Sequence, residues 1–152
     1  MSEARTEIPL SAYFLGLLIA GATGGILMLA TDFGGTYWGG YYLRTWEYIN
    51  ILHFPYNLAI ITVAIFFFYT MAIAILSLKD LDALQPKRYY KYGFYTSILN
   101  LLIIVIGAIA LGISGSFADD WWFDAAFYGG LICSILSVVI YYLLKKNIEF
   151  PE

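Results

Sequence analysis

Asp32–Pro55 reads DFGGTYWGGYYLRTWEYINILHFP and lies between two apolar runs that carry no charge, Leu10–Ala30 and Tyr56–Leu78. The stretch holds two of the chain's four Trp and its single His. Each flanking run is long enough to cross the hydrocarbon core of a bilayer as a helix, which takes about 20 residues at ~1.5 Å rise each. The segment between them is therefore a loop on one face of a membrane bundle, and its composition is that of an interface.

Outward from this loop the pattern repeats. A third apolar run covers Phe94–Ser116, with Asn100 as its most polar member, and a fourth covers Ala125–Leu144, ahead of Lys145 and Lys146. The expected fold class is thus an all-α integral membrane protein, a four-helix transmembrane bundle in one domain over 1–152. Its spans are about 10–30, 56–78, 94–116 and 125–144, its outer loops 31–55 and 117–124, and its inner loop 79–93. Composition agrees: the chain is 61% hydrophobic and only 12% charged, well below the charged share of a soluble domain. The aromatic share of 19% suits a chain with many residues at membrane–water boundaries. The start of the chain is neither basic enough nor its apolar run short enough for a cleaved signal peptide.

Orientation follows from the basic residues. Arg5, Lys79, Lys87, Arg88, Lys91, Lys145 and Lys146 fall on one face, and only Arg44 falls on the other. Positive charge is retained on the cytoplasmic side, so both termini are expected inside, in a multi-pass protein of the plasma (cell) membrane.

Within the first outer loop, Tyr37-Trp38, Gly39-Gly40 and Tyr41-Tyr42 have the spacing of a hairpin closed by a two-residue turn. From Leu43 onward, Leu43, Trp46, Ile49 and Leu52 share one helical stripe and Arg44, Glu47 and Asn50 another. A short interfacial helix satisfies that spacing; a strand through 43–50 is the competing reading, and the helix is slightly preferred.

Small residues recur every fourth position, the spacing that brings membrane helices together. They are Gly16, Ala20 and Gly24 in the first run, Ala108, Gly112 and Ser116 in the third, and Ala126, Gly130 and Ser134 in the fourth. The second run is rich in Phe and Ile instead. Close packing of the first, third and fourth helices is expected, with the second turned more toward lipid.

Candidate chemistry is sparse. His53 alone cannot ligate a haem from both sides, and an interfacial hydrogen-bonded imidazole is the plainer reading. One cysteine, Cys133, excludes an internal disulfide and a thiolate metal cluster. Asp119, Asp120 and Asp124 make an acidic outer cluster that can attract cations; solvated charge and capping of the fourth helix by Asp124 is the ordinary account. No Asp, Glu, Lys or Arg lies inside any span, which argues against a proton-coupled carrier or voltage sensor. No nucleotide, metalloprotease or hydrolase motif is present. A net charge of −3 leaves no basic face for nucleic acid. No catalytic residue, cofactor or metal site is expected.

The plan resembles that of the claudin-like tetraspans: four spans, both ends cytoplasmic, a larger first outer loop and a smaller second. Trp38, Gly40 and Trp46 follow the order of Trp and Gly in the first loop of that family. The family's Gly-Leu-Trp triplet and its two loop cysteines are absent, and the loop is shorter. The resemblance implies a non-enzymatic, structural or adhesive protein. It would associate with itself or with partners through outer aromatics, with Trp38, Tyr41, Tyr42, Trp46, Trp121 and Trp122 as contacts. The partners are then the lipid bilayer and further copies or other membrane subunits. Two other readings stand beside it. One is an accessory subunit of a respiratory or transport complex. The other is an oligomeric channel with Asp119, Asp120 and Asp124 at its mouth.

Overall fold

The structure, a computed structural model, describes residues 9–44, 56–79 and 88–147. In chain order the elements are helix α1 (Leu10–Ala30), strands β1 (Gly34–Trp38) and β2 (Tyr41–Arg44), helices α2 (Tyr56–Lys79) and α3 (Arg88–Gly115), strand β3 (Asp120–Phe123) and helix α4 (Ala125–Asn147). All four helices are long and apolar enough to cross a membrane. In hydrocarbon every backbone N–H and C=O must be paired within the protein, and a helix pairs them locally.

Each helix packs on its neighbours in sequence, and α4 closes the ring against α1. Neighbours run antiparallel: Gly16 faces Ile140 and Gly129 faces Leu27 across α1 and α4, while Gly130 faces Ile104 and Gly93 faces Tyr141 across α3 and α4. The sheet therefore caps one end of the bundle, and the start of α1 and the end of α4 share the other.

The helix contacts revise one expectation. Helices α1 and α2 meet backbone to backbone: a Cβ at Gly21 would stand 2.7 Å from the backbone N of Met71 and the backbone O of Phe67. Gly24 and Gly25 receive the rings of Phe67 and Phe68 in the same way. The large side chains of α2 thus fit the small-residue stripe of α1. One small face is enough, because the partner supplies the volume. The least buried helix is α3, with 22% of its apolar window buried against 39% for α2.

Two further boundaries differ from expectation. Helix α3 begins at Arg88, so Tyr89, Tyr90 and Tyr92 lie on its first turns rather than in a loop. Leu43 and Arg44 belong to β2, paired with Thr36 and Gly35, and do not start a helix. The turn at Gly39-Gly40 sets the register, and β1 offers a ladder that a helix beginning at Leu43 would forgo. Trp46, Ile49 and Leu52 lie outside the described residues.

The apolar core is divided. One cluster, toward the sheet, gathers Met28, Phe33, Val63, Phe67, Ile104, Leu111 and Ala126; the other, at the far end, gathers Phe14, Leu17, Ile73, Tyr90, Tyr141 and Leu144.

Candidate functional site

Both connections at the sheet-bearing end enter one three-stranded antiparallel sheet of order β2-β1-β3. The hairpin half was expected; the recruitment of β3 from the second loop was not. Gly39 and Gly40 have φ of 47° and 101°, the pair of positive values a type I′ turn demands. A third link locks the tip. The Gly39 N–H donates to Asp119 Oδ2 at 2.6 Å, and the Asp119 N–H donates to the Tyr37 carbonyl at 2.9 Å.

Central strand β1 begins with two glycines because there is no room for side chains. A Cβ at Gly34 would press into Leu111 and the Trp122 carbonyl, and one at Gly35 into the Trp122 ring. Cross-strand partners share a face, so the register separates the two sides of the sheet. Gly34, Thr36, Trp121 and Phe123 face the bundle. Phe123 stacks on Phe127 at 4.0 Å between centroids, and Trp121 lies over Gly115 of α3. Along that face burial fades toward the turn, from Thr36 at 6% exposure to Trp38 at 40% and Tyr41 at 77%. The hairpin tip therefore overhangs the bundle.

The opposite, outward face carries Tyr37, Tyr42 and Trp122. Tyr37 and Tyr42 pair directly with centroids 4.9 Å apart, and Tyr42 meets Trp122 edge-on at 6.2 Å. Trp122 covers the bare backbone of Gly35, an aromatic compensating for a strand glycine.

The three acidic residues do separate work. Asp119 ties the hairpin tip. Asp120 Oδ1 accepts from the Trp121 N–H at 2.8 Å, satisfying a donor on an edge strand. Asp124 Oδ1 accepts from the Ala125 N–H at 2.7 Å at the start of α4, and the Ala126 N–H reaches the Asp32 carbonyl at 3.2 Å. Among the described residues, no group of three or more His, Cys, Asp or Glu is arranged to hold a metal ion.

The packing residues are placed as follows. Ala20, Gly24, Ala126 and Gly130 are buried, Gly16 meets Ile140 of α4, and Ala108 is half-buried. A Cβ at Gly112 would stand 3.8 Å from the Trp121 ring, so this position serves the sheet rather than another helix.

A second constellation lies between the two apolar clusters. Thr70, Ser97, Asn100, Ser134 and Ser137 are all at most 2% exposed. Ser97 and Asn100 share a face of α3, and Ser134 and Ser137 a face of α4. The contacts Gly130–Ile104 and Gly93–Tyr141 fix the antiparallel register of these helices, which brings Asn100 level with Ser134 and Ser97 level with Ser137. The Ser77–Tyr90 hydrogen bond, 2.8 Å, sets α2 against α3 and places Thr70 at the same height. The Ser97 hydroxyl donates to the Gly93 carbonyl at 2.8 Å. Asn100 Oδ1, Ser134 Oγ and Ser137 Oγ have no protein partner. Leaving such atoms unpaired costs about 1–3 kcal/mol each. The sequence marks Asn100 as the most polar member of its run and Ser134 as one of a small-residue stripe; the three-residue spacings on both helices are the signal that joins them into a polar layer.

Compared with known protein families, characterised proteins and solved structures, the chain matches none.

Proposed function

We propose that this is a non-enzymatic, claudin-like tetraspan of the plasma membrane that acts by association, with itself or with a partner, through its outer sheet. One observation carries the reading: both outer loops are committed to a single sheet whose overhanging tip exposes Trp38, Tyr41 and Tyr42. Large aromatics held on a rigid frame make good interface anchors, since little side-chain freedom is lost on contact. The excess of basic residues at the opposite end supports an outward-facing sheet and cytoplasmic termini. Strands β1 and β2 form without the loop cysteines of that family, so an ordered first loop does not depend on them here. The acidic-mouth channel has less support, since Asp119, Asp120 and Asp124 are engaged with backbone N–H groups.

The test is native mass and composition of the particle in mild detergent, for wild type and for the triple variant Trp38→Ser, Tyr41→Ser, Tyr42→Ser. A multimer or defined hetero-complex that the triple variant reduces to single chains is expected. A wild-type particle of one chain only, or an assembly indifferent to the three substitutions, would overturn the reading.

The accessory-subunit reading draws on a different surface. Tyr92, Tyr95, Leu99, Leu102, Ile106, Ile109 and Ile113 form one exposed stripe along α3. A foreign subunit covering that stripe would survive the triple substitution, so the same experiment separates the two.

A further inference from the structure

We infer that the polar layer at mid-bundle is a water-binding site, with Asn100 on α3 and Ser134 and Ser137 on α4 as its protein partners. The core itself is interrupted there: two apolar clusters lie on either side, and the layer between is built from Thr70, Ser97, Asn100, Ser134 and Ser137. Three oxygens in it lack a protein partner although each side chain is at most 1% exposed. Buried polar atoms in folded proteins are paired, with ordered water where no protein group reaches.

The donor and acceptor inventory selects the ligand. Asn100 Oδ1 only accepts, while each serine hydroxyl both donates and accepts. A molecule bridging them must therefore donate to the amide oxygen and exchange bonds of either sense with the hydroxyls. Water does this at two to four contacts, the number typical of an internal site. A cation satisfies only the acceptor side and would sit in the membrane with no counter-charge, since no acidic residue lies in any span. An apolar ligand satisfies none of the three.

Placement gives the water a structural role. Asn100 and Ser134 are brought level by the α3–α4 register, so one bridging molecule ties the two helices together at mid-bundle. Phe67 from α2, against Gly24 of α1, adjoins the layer and adds no polar group.

The experiment is solid-state NMR of the full-length, isotope-labelled protein in lipid bilayers, with magnetisation transferred from water. Cross-peaks at the water frequency are expected for the Asn100 side-chain amide and for Ser134 and Ser137. They should arise several-fold faster than for Ile104 and Phe67, with Asp120 as the solvent-exposed reference. Build-up at Asn100, Ser134 and Ser137 as slow as at Ile104 would mean a dry layer and overturn the inference. In Asn100→Leu, the water cross-peaks of both serines are expected to vanish; their persistence would overturn a shared site. If that variant does not fold, the wild-type measurement still decides.

Discussion

The Gly39 amide and the Asp119 carboxylate meet at 2.6 Å across 80 positions of sequence. This bond joins the hairpin tip to the approach of β3, so the three strands are tied at the turn as well as along their ladders. Asp119→Ala is expected to lower stability by about 1 kcal/mol, near the low end for a bond to a charged group because the site is exposed. Asp119→Asn keeps an acceptor and should lose about half of that. Thermal unfolding in detergent reads the difference, and hydrogen exchange at Gly39 should accelerate in both.

Glycines in the helices are not equivalent. Gly21→Ala drives a methyl against the backbone of α2, where neither chain can yield, and should cost about 1–3 kcal/mol. Gly112→Ala meets only the Trp121 ring at 3.8 Å and removes a flexible helical residue, so it should be neutral or stabilising by up to about 1 kcal/mol. Denaturation of the pair under identical conditions checks the contrast.

The turn makes a prediction of its own. Nothing crowds Gly39 or Gly40, yet both have positive φ. Gly39→Asn should be near neutral, since Asn-Gly is a favoured type I′ pair. Gly40→Val should cost about 1–2 kcal/mol through backbone strain alone. Cross-strand nuclear Overhauser effects between Tyr37 and Tyr42 should persist in the first and weaken in the second.

At the opposite end, Ser77 and Tyr90 form a buried hydrogen bond between α2 and α3. The Ser77 hydroxyl also donates to the Ile73 carbonyl at 2.8 Å, so the Tyr90 O–H is the donor to Ser77. A double-mutant cycle of Ser77→Ala and Tyr90→Phe should return a coupling of about 0.6 kcal/mol, typical of interhelical bonds in membranes. A coupling indistinguishable from zero would show that the hydroxyls do not bond in the bilayer.

What could be read from the chain was whatever local chemistry decides. Leu10–Ala30 is helical end to end because an uncharged run of that length has one good way to pair its backbone in hydrocarbon. Gly39-Gly40 closes a hairpin because few other residue pairs tolerate its dihedral angles. Helix α3 reached further back than its apolar run, to Arg88, since polar residues at a membrane boundary extend a helix without a hydropathy signal. The short helix expected from Leu43 gave way at Leu43 and Arg44 to a strand partner that periodicity does not register.

The sequence by itself determined four membrane-length helices, the hairpin turn and the aromatic character of the two strand-bearing connections, each resting on interactions within a few residues. Tertiary structure alone decided that β3 joins β1, that Phe67 and Phe68 fill the glycine face of α1, and that Asn100 comes level with Ser134. Those outcomes depend on which distant surfaces fit one another. Shape complementarity and antiparallel register exist only once the helices have packed.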